Sequence, residues 1–144
     1  MTQEEKQLVI KDLCARVPYK PKVKVLHVWN EEKEIEEDIV DTVHCVLPEG
    51  YINTETIDSD IPLNDNVILY LRPLSSMTVE ERLYFHRNSS KVQILVDTEK
   101  IITKSFYGYT IHLLDWLLEH HFDYRGLIKK SLAIVAPEGM YKTE

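Results

Sequence analysis

The sequence predicts an α+β domain in which about three helices pack on a mainly antiparallel sheet, and three features carry that expectation. Two segments open on a Thr-x-x-Glu capping box and continue with apolar residues at helical spacing. Several β-branched runs alternate with polar residues at the two-residue period of a strand. The order α-β-β-β-α-β-α, with adjacent strands joined by short turns, favours antiparallel neighbours over parallel crossover units.

Thr2 and Glu5 have capping-box spacing and precede Val9, Ile10, Leu13, Cys14 and Val17 on one helical face, after which Pro18 and Pro21 end the helix. From Lys22 to Trp29, Val23 and Val25 lie on one side and Leu26 and Val28 on the other. The shifted alternation predicts a strand with a bulge or with two buried faces. The run Glu31, Glu32, Lys33, Glu34, Ile35, Glu36, Glu37, Asp38 is too charged for a core element and reads as an exposed connection. A strand resumes with Ile39, Val43, Cys45 and Leu47 on its apolar face, interrupted by Asp41, and Pro48-Glu49-Gly50 forms a turn. Val67 to Leu71 is almost wholly apolar, as a central strand requires, and Arg72-Pro73 stops it.

Thr78 and Glu81 form the second capping box, and Val79, Leu83 and Tyr84 or Phe85 continue a helix to Asn88-Ser89-Ser90. Val92, Ile94 and Val96, alternating with Gln93 and Leu95, predict a strand that ends in the turn Asp97-Thr98-Glu99-Lys100. Between Tyr109 and His121, Ile111, Leu113, Leu114, Trp116, Leu117 and Leu118 cover most of a helix, leaving His112, Asp115 and Glu119 as a polar stripe. A turn at Asp123-Tyr124-Arg125-Gly126, an apolar run from Leu132 to Val135 and a turn at Pro137-Glu138-Gly139 complete the chain.

The 144 residues suit one globular domain spanning 1–144, and shares of 44% apolar and 28% charged residues are those of an ordinary globular protein. No apolar run approaches the roughly 20 residues of a membrane helix. The acidic Met-Thr-Gln-Glu-Glu start differs from a basic secretory leader. A cytoplasmic protein without membrane partners is therefore expected. Cys14 and Cys45 form no Cys-x-x-Cys pair and are expected as reduced, buried thiols. A net charge of −7, from 24 acids against 17 bases, opposes nucleic acid and is easier to reconcile with a basic or neutral partner.

Four unclustered glycines supply no phosphate-cradling loop, so no nucleotide cofactor is expected. Lys20, Lys22 and Lys24, and the pair Lys129-Lys130, read as solvated lysines. His112, Asp115, Glu119, His120, His121 and Asp123 form the densest set of ligand-type residues. One helix nevertheless supplies too few convergent groups for a metal, so no metal site is expected and the stripe reads as a solvated face. Ser75 and Ser76 have a sufficient role in the turn before a helix, with no nucleophile elbow around them. Two features suit binding to another protein. The acidic run from Glu31 to Asp38 suits a basic surface, and Asp123, Tyr124 and Arg125, with His121 beside them, combine a phenol and a guanidinium of the kind enriched at binding hot spots.

Three stretches carry a resemblance: Leu71-Arg72-Pro73-Leu74-Ser75-Ser76-Met77-Thr78-Val79-Glu80-Glu81, Asp115-Trp116-Leu117 through His121-Phe122-Asp123-Tyr124-Arg125-Gly126-Leu127-Ile128, and Leu132-Ala133 to Ala136-Pro137-Glu138-Gly139-Met140-Tyr141. They resemble small proteins common in phages and prophages of anaerobic gut bacteria, over roughly the C-terminal half of the chain. Here Leu113-Leu114 lengthens the approach to Asp115-Trp116, and Ser131 stands where glycine is common. The resemblance implies no activity, ligand or catalytic residue. It implies a small accessory protein of a mobile element that binds a host or phage macromolecule, with an exposed surface formed by Tyr124, Arg125 or the acidic run beside an apolar patch. The competing expectation is a small hydrolase or metal-dependent enzyme built around His112, His120, His121, Asp123 and Arg125. A third is a homodimer formed through a sheet edge or the Trp116 helix.

Overall fold

In the computed structural model, which describes residues 1–89, 94–97, 100–103 and 108–141, the described residues form three α-helices and eight strands. In order they are α1 (Gln3–Arg16), β1 (Lys22–Asn30), β2 (Ile35–Leu47), β3 (Tyr51–Thr54), β4 (Ile61–Pro62), β5 (Val67–Leu71), α2 (Val79–Ser89), β6 (Ile94–Asp97), β7 (Lys100–Thr103), α3 (Gly108–Glu119) and β8 (Ala133–Val135). Six strands make one sheet of order β4-β3-β2-β1-β5-β8, and the ladders linking β4 through to β5 are antiparallel. The expected α+β class is the class observed. Ser90, Val92, Gln93, Thr98 and Glu99, to which the sequence assigned a helix end, a strand start and a turn, lie outside the described residues. By compactness the chain divides into two units, Met1–Tyr70 with Leu132–Ile134, and Leu71–Ser131 with Val135–Glu144.

In the first unit, α1 begins at the expected capping box. The Thr2 hydroxyl accepts from the Glu5 N–H at 3.1 Å, and the Glu5 carboxylate accepts from the Thr2 N–H at 2.7 Å. Its buried stripe is Val9, Asp12, Leu13 and Arg16, rotated from the apolar face read in the sequence. The expectation that Cys14 is buried is corrected, since its thiol is exposed, while Cys45 is half-buried. The rotation has a cause. Asp12 and Arg16, one turn apart, are both 0% exposed and pair at 2.7 Å, so a mutually neutralising pair takes positions that charge alone would assign to water. The core of this unit is built from Val9, Leu13, Val23, Val43, Ile52, Leu63 and Leu69.

β1 carries the expected bulge. Its register against β2 shifts between Val25 and Val28, and His27 adopts φ +58. β2 starts at Ile35, four residues before the strand expected from Ile39, so the acidic run is only half a connection. Glu31–Glu34 turn while Glu36, Glu37 and Asp38 lie in the strand. The turn is fixed by the Asn30 side chain, whose carbonyl accepts from the Glu32 and Lys33 N–H groups at 3.0 and 3.1 Å, and by Glu34 at φ +53. Strand pairing is a backbone property, and a ribbon solvated around most of its surface keeps its ladder with charged side chains. Pro48-Glu49-Gly50 turns the chain into β3, as expected, with Gly50 at φ +88.

In the second unit the α2 capping box is also complete, with Glu81 N–H donating to the Thr78 hydroxyl at 3.1 Å and Thr78 N–H donating to the Glu81 carboxylate at 2.9 Å. The face of α2 differs from expectation. Glu81 and Phe85 are buried, whereas Val79 and Leu83 are 72% and 60% exposed. Arg72 draws Glu81 inward with bonds of 2.7 and 2.8 Å, which fixes the helix rotation against its hydrophobic pattern. In α3, Leu113, Trp116, Leu117 and Leu118 are buried, and His112, Asp115 and Glu119 form the expected exposed stripe, which Ile111 joins. α3 ends in a Schellman motif. His121 at φ +61 donates to the Leu118 carbonyl at 3.0 Å, and Phe122 donates to the Leu117 carbonyl at 2.9 Å.

Candidate protein-docking surface

β1 and β2 continue past the point where their neighbours stop. β5 pairs with β1 at Val23, Lys24 and Val25, and β3 pairs with β2 between Val43 and Leu47. Beyond those limits Val28 still faces Glu37, Trp29 faces Glu36, and Asn30 faces Ile35. The result is a two-stranded arm with the Glu31–Glu34 turn at its tip. Among the described residues, no strand flanks residues 27–30 of β1 or residues 36–40 of β2 on their outward sides.

Paired residues of an antiparallel ladder share a face, so Trp29 and Glu36 lie on one face, with Lys24 and Val40 further along it. Trp29 is 58% exposed, Val40 50% and Ile35, on the opposite face, 49%. Six carboxylates against one lysine occupy Glu31–Asp38. Two ion pairs partly offset them, Lys24 with Asp38 at 3.5 Å and Lys33 with Glu37 at 3.4 Å, and His27 Nδ1 lies 3.3 Å from the Glu36 carboxylate. The Asn30 amide, 2.7 Å from Glu37, holds that carboxyl below the usual glutamate range, and Lys33 acts in the same direction. The arm thus stays negative at neutral pH.

A cavity of about 700 Å³ lies against the arm, lined by Val28, Trp29, Asn30, Glu31, Glu37 and Ile39 and by residues 56–59. Asp41 holds that last segment in place. Its carboxylate accepts from the Thr56 hydroxyl at 2.6 Å, the Thr56 N–H at 3.0 Å and the Thr42 N–H at 2.8 Å. Burial disfavours the Asp41 charge, yet these bonds prevail and hold its carboxyl below the ordinary aspartate value. The interruption of the apolar strand face at Asp41 is therefore an anchor for the cavity wall, a role that needed Thr56, fifteen residues on.

The second set of residues singled out for binding, His121, Asp123, Tyr124 and Arg125, occupies the second unit. His121, Asp123 and Tyr124 are 6%, 2% and 8% exposed, and Arg125 is half-buried. His121 ends α3 and stacks on Tyr141 at 3.6 Å between ring centroids. Asp123 accepts from the Leu127 and Ile128 N–H groups at 2.8 and 2.9 Å, closing the turn that Gly126 completes at φ +74. The Arg125 guanidinium lies 4.8 Å from the Tyr124 ring centroid. The histidines proposed for an enzyme have separate partners. His112 Nε2 meets the Tyr84 hydroxyl at 3.0 Å, and His120 Nδ1 meets the Trp116 carbonyl at 2.9 Å. Among the described residues, no three His, Cys, Asp or Glu side chains are grouped to hold a metal ion. No helix is long and apolar enough to cross a membrane, among the described residues.

A second cavity of about 720 Å³ lies within the second unit, lined by Arg72, Pro73, Ser76, Thr78, residues 135–139 and Tyr141. The one cation among its described lining residues is committed. Arg72 pairs with Glu81 through two bonds, lies 4.2 Å from the Phe122 ring centroid, and has its nitrogens 3.4 Å from the Ser76 and His120 carbonyls. Reading the sequence missed Trp29 as a surface residue. The available signal was a large aromatic at the end of a strand pattern, followed at once by charge. Comparison of the chain with models of protein families, with curated proteins and with solved structures finds no match.

Proposed function

We propose that the chain is a small accessory protein of a phage or mobile element that acts inside the cell by binding a protein partner, and that the β1–β2 arm is the docking surface. The exposure of Trp29 carries this reading. Tryptophan is the side chain that folding gains most by burying, and here it stands in water on a ribbon that supplies little of the core. Tryptophan is also enriched among residues that dominate interface energies. The surrounding carboxylates select a partner with a basic surface, in keeping with the net charge of −7.

The test is quantitative affinity capture from host lysate with the wild-type chain, Trp29→Ala and the charge reversal Glu36→Lys, Asp38→Lys. A basic protein recovered by the wild type and lost with both variants is expected, and the loss should be reproduced by raising the salt concentration. Equal recovery by all three proteins would rule out the arm as the docking surface.

A further inference from the structure

We infer that the outward edge of β2, along residues 36–40, accepts an extended lysine- or arginine-bearing segment of the partner as an added strand. The inference rests on the docking role of the arm and specifies its mode. β3 runs beside β2 only as far as Thr54, opposite Val43, and Glu55 makes a last backbone bond to the Thr42 carbonyl at 3.0 Å. Asp41 then holds Thr56 by its side chain, and the following residues form a cavity wall against Val28, Glu37 and Ile39. The chain is thus turned off the track it shared with β2, and along the same line no strand among the described residues flanks residues 36–40.

The two edges of the arm differ. On β1 the register shift between Val25 and Val28, with His27 in the left-handed region, breaks the regular spacing of donors and acceptors. On β2 the register against β1 runs without interruption from Ile35 through Glu37, and no residue from Ile35 to Val40 has a positive φ. An open edge of this kind is a template for another strand, and its side chains decide which strand. Glu36 and Asp38 alternate on one face, and Glu37 lies on the other beside the cavity. A second copy of this chain would set carboxylate against carboxylate, which disfavours self-pairing. A basic strand would instead form cross-strand ion pairs with Glu36 and Asp38 on one face, with its apolar side chains on the other face against Ile35 and Ile39.

The probe is a synthetic decapeptide of alternating lysine and valine added to the full chain. Its controls are the same peptide with consecutive N-methylated amides and an alternating glutamate–valine peptide. The lysine peptide should slow amide hydrogen exchange within residues 36–40. N-methylation should weaken binding by about tenfold or more, the scale of one to two hydrogen bonds, and the glutamate peptide should not bind. Equal affinity of the methylated peptide, protection centred on residues 27–30, or no binding of the lysine peptide would each overturn strand addition. Protection of residues 36–40 without peptide, with a dimer in sedimentation, would assign the edge to a second copy and overturn it too. Lysate capture that needs Trp29, with no effect of N-methylation, would leave the docking role standing and remove only the strand mode.

Discussion

Asp12 and Arg16 show how one pair can set the orientation of an element. Both side chains are wholly buried and bonded at 2.7 Å, with a second contact of 3.3 Å between Asp12 Oδ1 and an Arg16 terminal nitrogen. Bringing two charges out of water is costly, so the pair contributes little net stability, while removing one partner takes from the other the counter-charge it is buried against. Asp12→Ala is therefore expected to cost about 3–5 kcal/mol in urea denaturation, and the double replacement Asp12→Leu, Arg16→Met should recover much of that loss. Equal costs for the single and double variants would show that the charge of Arg16 is not what destabilises the single one. This pair was illegible in the sequence because spacing of four residues suggests an ion pair on any helix face. Asp41 was half legible, since its place in an apolar strand face marked it as unusual, but its partner Thr56 lies beyond local pattern.

Elements were read best where their ends carry local chemistry. Both capping boxes, the turn at Pro48-Glu49-Gly50 and the limits of β5 follow from residues a few positions apart, and each formed where the sequence placed it. Helix rotation was read less well, because it is decided by partners from other elements. In α2 the Arg72 bonds bring Glu81 in and leave Val79 and Leu83 outside. Burial opposes ionisation of Glu81, but the bonds from Arg72 and the α2 cap outweigh it and hold the carboxyl below the ordinary glutamate value. A depressed carboxyl contributes stability that is complete above its unfolded pKa and is lost as pH falls through the folded one. Glu81→Gln should thus destabilise by up to about 3 kcal/mol at neutral pH. The gap from wild type should shrink below the ordinary glutamate range. Thr78→Ala, which removes only a cap, should cost about 1 kcal/mol with little pH dependence. Denaturation at neutral and acid pH checks both, and a Glu81→Gln cost that persists unchanged in acid would exclude the ionised pair as its source.

At the scale of the whole molecule, the chain has two tryptophans, one in each compact unit, in opposite environments. Trp116 is 9% exposed and stacked among aromatic groups, 4.9 Å from Tyr84, 5.8 Å from Phe122 and 4.6 Å from His120 between ring centroids. Trp29 is 58% exposed on the acidic arm. The first is a core residue of the second unit, and Trp116→Ala should cost about 3–5 kcal/mol. The second adds little to folding, so Trp29→Ala should change stability by no more than about 0.5 kcal/mol. Fluorescence separates them without reference to any partner. The Trp116→Phe variant, which retains Trp29, should emit at long wavelength and be strongly quenched by acrylamide. The Trp29→Phe variant should emit at shorter wavelength and resist quenching. Basic peptide added to the Trp116→Phe variant should then shift its emission to shorter wavelength as Trp29 leaves water, with an effect that fades as salt screens the arm. If Trp29 is already shielded from acrylamide in the free protein, the arm is covered before any partner arrives, and its exposure no longer supports a docking surface.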